Sequence, residues 1–78
     1  MAKHKGELEI GMRAYEELRR RFPALSDETI SKRIGMDRKS MYAWRDGLTP
    51  GGYALQRLYF AGCDIKYILT GRRDPNGR

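Results

Sequence analysis

The 78-residue sequence contains one cysteine, so an intrachain disulfide is impossible and a secreted disulfide-rich scaffold is excluded. Because Cys63 stands among apolar residues in "YFAGCDI", we expect a small buried thiol. The single histidine, His4, has no second His or Cys nearby, so no metal site is expected. There is no phosphate-binding glycine loop and no Ser–His–Asp or Cys–His set. We therefore expect neither an enzyme nor a cofactor or small-molecule substrate.

Long apolar runs are also lacking. No run approaches the ~20 residues that span a bilayer. The start of the chain, "MAKHKGELE", is charged and has no apolar centre of the kind that a signal peptide needs. The sequence therefore predicts a cytoplasmic protein without a membrane partner.

The charge is unevenly distributed. The net charge is +6, which makes an anionic partner plausible. Residues 26–47 contribute little to it, because they carry five basic and four acidic groups. Within that segment, however, the acidic pair Asp27 and Glu28 comes first and most of the basic groups follow. Such sorting predicts a basic surface even where the total charge is small.

Apolar residues recur at helical spacing through most of the chain, and no segment has the pattern of a strand. We predict an all-α fold, a compact bundle of about five short helices, over residues 7–71, with flexible tails at 1–6 and 72–78. The first helix has an apolar stripe at Leu8, Met12, Tyr15, Leu18 and Phe22. Pro23 ends that helix.

Capping residues mark the other helices. Ser26, Asp37 and Asp64 are expected to begin the second, third and fifth helices, which glycines then end. The stretch "LTPGG" is either a loop or the start of the fourth helix, with Thr49 as its cap.

The second and third helices meet the requirements of a helix-turn-helix. The small Ser31 lets the helices approach, and Gly35 can adopt the left-handed conformation that the turn needs. Met41 packs back against the second helix. Four further apolar residues complete the inner face: Ile30, Ile34, Met36 and Trp44.

The stretch "ETISKRIGMDRKSMYAWRDG" resembles the helix-turn-helix of the Cro/phage-repressor family, also called XRE-like. The later stretch "LQRLYFAGCDIKYILTGRR" is similar to the segment of prophage regulators that ends in "YLLTGRR". The two together cover roughly residues 10–73. This resemblance implies a transcriptional regulator of repressor type that binds double-stranded DNA, with the third helix in the major groove and a nucleoid location.

Carried over to this sequence, the resemblance implies that bases are read by the residues at the start of the third helix, which are Arg38, Lys39, Ser40 and Tyr42. It implies phosphate contacts by a second set, which comprises Ser26, Thr29, Lys32, Arg33, Arg45 and Thr49. One position departs from the family, because Asp27 stands where many phage repressors place a phosphate-binding Gln.

The sequence leaves two alternatives open for the partner of this chain. A palindromic operator read by a homodimer is one expectation, with the surface around Tyr59 and Tyr67 as the dimer contact. The alternative is a protein-binding module, similar to an antitoxin or an antirepressor, that uses the same fold to hold another protein.

Overall fold

The computed structural model describes the backbone of residues 5–73 and the side chains from Glu9 onward. Within that range the chain forms helices and no strand, which confirms the all-α prediction. The helices are α1 (Lys5–Arg21), α2 (Asp27–Ile34), α3 (Arg38–Arg45), α4 (Gly52–Phe60) and α5 (Ile65–Thr70). Each helix in residues 5–73 is too short or too polar to cross a lipid bilayer.

Three helix starts are capped as predicted. The side chains of Ser26, Asp37 and Asp64 each accept a hydrogen bond from the backbone amide three residues later, at 3.2, 3.0 and 3.0 Å. Gly35 and Gly71 end α2 and α5 in the left-handed conformation, with φ of 74° and 77°. These ends are local features of the chain, which is why the sequence reveals them.

The fourth helix begins later than Thr49. Its N-cap is the extended Gly51, which makes no side-chain capping bond, and Thr49 precedes it by two residues. Pro50 is buried in the non-helical segment before the helix rather than occupying its first position. Of the two alternatives for "LTPGG", the loop is therefore correct, and capping by Thr49 is wrong.

One core joins all five helices. Its buried members are Ala14, Leu18, Ile30, Ile34, Met41, Trp44, Ala54, Leu58, Cys63 and Ile68. Cys63 is 6% exposed, which confirms the buried thiol. Burial, followed by the nearby negative charge of Glu17, raises the pKa of this thiol to about 11.

The prediction of an apolar stripe on α1 is only partly correct. Leu18 is buried, but Met12 is 50% exposed, and the inward face instead includes Gly11 and Ala14. The reason is the close approach of α3, since a Cβ at Gly11 would overlap the backbone oxygen of Leu48 and lie 2.7 Å from that of Trp44. The side chain of Leu8 lies outside the described residues.

A buried carboxylate ties α1 to the end of the chain. Glu17 is 2% exposed and accepts hydrogen bonds from the Asp64 amide at 2.9 Å and from Arg73 at 2.7 Å. Burial by itself would raise its pKa, but these bonds, with another from Arg20, outweigh burial and hold the pKa below its ordinary value. Packed contacts thus extend to Arg73, two residues past the predicted domain end. Residues 1–4 and 74–78 of the predicted tails lie outside the described residues.

Candidate nucleic-acid-binding surface

Three residues, from Gly35 to Asp37, join α2 to α3. The Gly35 amide donates to the Lys32 carbonyl at 3.3 Å, and the Met36 amide donates to the Ser31 carbonyl at 3.0 Å. These bonds satisfy carbonyls at the end of α2 and fix the direction in which the chain leaves it. The start of α3 is therefore positioned by backbone geometry.

The residues predicted for the α2–α3 packing are buried, except Met36, which is half-buried. Ile30, Ile34, Met41 and Trp44 are at most 3% exposed. Ser31 is 6% exposed, and its hydroxyl donates to the Glu28 carbonyl at 2.7 Å within α2. A hydroxyl satisfied in its own helix needs no partner on α3, so Ser31 serves this packing as a small residue.

The opposite face of α3 carries the predicted base readers. Arg38 and Lys39 are exposed, whereas Ser40 and Tyr42 are half-buried. The Arg38 guanidinium lies 3.5 Å from the Glu28 carboxylate, which also pairs with Lys32 at 3.4 Å. One carboxylate thus neutralises two cations of this surface, and an anion that binds Arg38 competes with Glu28.

Ser40 is committed to the helix cap. Its hydroxyl donates to Asp37 at 2.9 Å, and its amide donates to the same oxygen at 3.0 Å. The amide bond and then the hydroxyl bond hold the pKa of Asp37 below its ordinary value. The Ser40 hydroxyl can still accept a hydrogen bond, but its proton is already used.

The last turn of α3 carries an arginine between two aromatic rings. The Arg45 guanidinium carbon lies 4.7 Å from the ring centre of Tyr42 and 6.0 Å from that of Tyr15. The Tyr15 hydroxyl in turn donates to Asp27 at 2.8 Å. Burial and then this bond raise the pKa of Tyr15, which keeps it a neutral donor. Arg45 and Tyr42 therefore share a face, and α1 supports that face.

The acidic start of α2 is largely neutralised inside the fold. Asp27 accepts from Tyr15 and from Arg19, the latter at 3.1 Å. Beside it, the Ser26 hydroxyl donates to the Thr29 hydroxyl at 3.0 Å, and both residues are exposed. The Asp27 carboxylate is therefore turned toward two protein donors.

Two members of the predicted phosphate set stand apart from the start of α3. Thr49 is exposed in the segment between α3 and α4. Arg33 lies against the Phe22 ring, with 5.5 Å between its guanidinium carbon and the ring centre. Arg33 therefore lies beside the ends of α1 and α4 and not beside the start of α3.

Several residues of this surface were not predicted. Arg19 and Tyr15 reach Asp27 from α1, and Glu28 reaches Arg38 across the turn. Only the Glu28–Lys32 pair could be recognised from the sequence, because its two residues are four apart within one helix. The other pairs join separate helices and depend on how those helices pack.

No protein-family profile, curated protein or solved structure matches this chain.

Proposed function

We propose that this chain binds double-stranded DNA in a sequence-specific manner and regulates transcription, acting as a repressor that occupies a promoter. The observation that carries the proposal is the division of α3 into two faces. Met41 and Trp44 are buried, while Arg38 and Lys39 stand exposed at its start. A rigidly seated helix with cations in its first turn suits the major groove, where side chains near the helix start meet base edges.

The contacts of each side chain support a role for it. We assign Arg38 to guanine O6 and N7, and Lys39 to a second guanine. Ser40 can only accept, because its proton goes to Asp37, so it suits the amino group of adenine or cytosine. Tyr42 is half-buried under Arg45 and is suited to a thymine methyl.

Phosphate contacts surround these readers. Arg45 is exposed and held over Tyr42, which fixes the direction of its guanidinium. Lys32, Ser26 and Thr29 are exposed on α2 or at its start. We assign these residues to positioning on the duplex, because phosphate contacts set register without reading sequence.

The regulator acts as a pair. One helix reads only a few base pairs, too few to mark a single genomic site. We propose two copies on inverted half-sites, in contact around Tyr59 of α4, which is 65% exposed. Tyr67, the other residue expected at this contact, is half-buried; its hydroxyl donates to Glu16 at 2.6 Å, and the Arg73 guanidinium carbon lies 3.9 Å from its ring centre.

Selection of duplexes from a random pool tests the proposal. We expect one enriched motif, and we expect the double variant Arg38→Ala with Lys39→Ala to lose affinity for it. The control is Lys66→Ala, which removes an exposed cation from α5 instead. A pool that yields no motif, or a control that loses as much affinity as the double variant, contradicts sequence-specific binding by α3.

A second candidate function is protein binding. Tyr53 and Tyr59 on α4 are 62% and 65% exposed, and aromatic side chains are enriched at protein interfaces. On this alternative the chain is an adaptor similar to an antitoxin or antirepressor. Absence of an enriched duplex, together with a partner captured only when both tyrosines are intact, favours the adaptor.

A further inference from the structure

A second cationic cluster lies where α1, α2 and α4 end. The ends of these helices surround a pocket of about 300 Å³. Three arginines line it, Arg21, Arg33 and Arg57, together with the rings of Phe22 and Phe60. None of the base readers proposed for α3 lines this pocket.

Backbone contacts hold two of these arginines in place. The Arg57 Nε donates to the Ile34 carbonyl at 2.6 Å, and the Arg21 Nε donates to the Ala61 carbonyl at 3.3 Å. Both guanidinium groups lie over left-handed glycine turns. A Cβ at Gly35 would lie 2.9 Å from Arg57 Nη2, and one at Gly62 would lie 2.7 Å from Arg21 Nε.

The third arginine is free of such contacts. Arg33 touches the Phe22 ring, and the Arg21 guanidinium carbon lies 5.6 Å from the centre of the same ring. Within residues 5–73, Arg33 makes no hydrogen bond to the protein, and the hydrogen bonds of Arg21 and Arg57 use Nε alone. Their terminal nitrogens are left to bind a ligand.

The charge of the cluster is not neutralised by carboxylates. Six other arginines of residues 5–73 form ion pairs, whereas Arg21, Arg33 and Arg57 pair with no described Asp or Glu. All three arginines stand in the last turns of their helices, where the partial negative charge favours cations. Arg21 and Arg57 also bind backbone carbonyls there, whereas Arg33 has no such bond and shares the pocket with two guanidinium groups of the same sign.

We infer that this pocket is a binding site for a free nucleotide, separate from the α3 surface. Guanidinium groups bind phosphoryl oxygens through paired hydrogen bonds, and three of them suit a diphosphate. Phe60, which is 67% exposed at the edge of the pocket, offers a ring on which the base stacks. The inference does not rest on the DNA-binding proposal, since it uses none of the base readers.

Titration with ADP tests the site, followed by NMR of the arginine Nε–H groups. We expect the signals of Arg21 and Arg57 to shift, and adenosine to bind at least about tenfold more weakly than ADP. Arg33→Gln should weaken the binding of ADP by about fivefold, because it removes one partly exposed side chain that binds phosphate. The matched control is Lys32→Gln, one residue away on α2, whose ammonium pairs with Glu28.

Three outcomes overturn the inference. If adenosine binds as tightly as ADP, the phosphoryl contact is absent. If Lys32→Gln weakens the binding of ADP as much as Arg33→Gln does, the net charge of the protein rather than the pocket attracts the nucleotide. If saturating duplex DNA releases ADP, the pocket is part of the DNA surface. Failure to select any duplex leaves the first two measurements unaffected, so the two proposals fail separately.

Discussion

At the scale of single residues, the two arginines on the outer face of α3 differ in what holds them. Arg38 is paired only with the exposed carboxylate of Glu28, so its guanidinium is free to exchange that partner for a base. Arg45 lies over the rings of Tyr42 and Tyr15 and pairs with Asp46 at 3.4 Å. On the proposed function Arg38 reads a base and Arg45 binds a phosphate, so we expect their removal to change DNA binding in different ways.

We predict that Arg38→Ala costs about 1–3 kcal/mol of binding to the selected duplex and abolishes the preference at one base pair. Arg45→Ala should weaken binding to all duplexes alike. It should also reduce the slope of log affinity against log salt concentration by about one, since it removes a phosphate contact. Binding to a set of single-base variants at several salt concentrations measures both effects. Equal, sequence-independent losses for the two variants contradict the assignment of Arg38 as a reader.

The buried Glu17 carboxylate makes stability depend on pH. Its folded-state pKa lies below that of the unfolded chain, so its contribution is complete above the ordinary value of about 4.3 and is lost as pH falls through the folded-state pKa. We expect the midpoint of thermal unfolding to fall as the pH drops below about 5. Glu17→Gln should lower the midpoint at neutral pH and flatten this acid dependence.

The control for that measurement is Glu9→Gln on the same helix. The Glu9 carboxylate is 43% exposed and pairs only with Arg13, so its removal should leave the pH profile almost unchanged. Calorimetry at a series of pH values compares the variants. A Glu17→Gln profile parallel to that of the parent protein would show that another group titrates.

At the scale of helices, the contact between α1 and α3 depends on Gly11. The place of its missing Cβ is occupied by backbone oxygens of Trp44 and Leu48, which cannot rotate away as a side chain can. This contact sets how closely α3 approaches α1, and with it the position of the outer face of α3. A glycine in mid-helix, unfavourable by propensity, is here required by packing.

We predict that Gly11→Ala destabilises the protein by about 1–3 kcal/mol through overpacking. The matched control is Gly52→Ala in the first turn of α4, where an added Cβ meets nothing within 4 Å. It should leave stability unchanged or raise it by up to about 1 kcal/mol. Urea unfolding of both variants decides the matter, and a tolerated Gly11→Ala would mean that α1 and α3 are further apart than described.

The same contact shows where prediction from sequence stops. Caps such as Ser26 and Asp37 bond to residues three positions away, and the division of α3 into two faces follows from helical periodicity. Those features were therefore predictable. The exposure of Met12 and the grouping of Arg33 with Arg57 were not, because both depend on which helix packs on which side.

At the scale of the whole molecule, an exposed aromatic side chain bears on how two copies assemble. Tyr59 is exposed on a helix that carries none of the proposed DNA contacts. The proposed dimer places the second copy against this side chain, so that α3 of each copy remains available for DNA.

We predict that two chains bind one palindromic duplex, and that Tyr59→Ala reduces the cooperativity of the second chain without changing the affinity of a half-site. Sedimentation of the protein with whole and half-site duplexes measures stoichiometry and cooperativity together. The control is Tyr53→Ala on the same helix. One chain per palindrome, without cooperativity, contradicts the dimer and favours the adaptor.

The ion pair between Glu17 and Arg73 also affects how the chain can fold while it is being synthesised. During synthesis on a ribosome, the first helix emerges early, carrying an acid whose counter-ion is encoded 56 positions later. Until Arg73 has left the exit tunnel, any docking of that helix must bury a carboxylate that lacks one of its cationic partners. The Glu17–Arg73 ion pair can therefore form only after Arg73 has emerged, so this part of the neutralisation of the buried carboxylate comes after α1 has been synthesised.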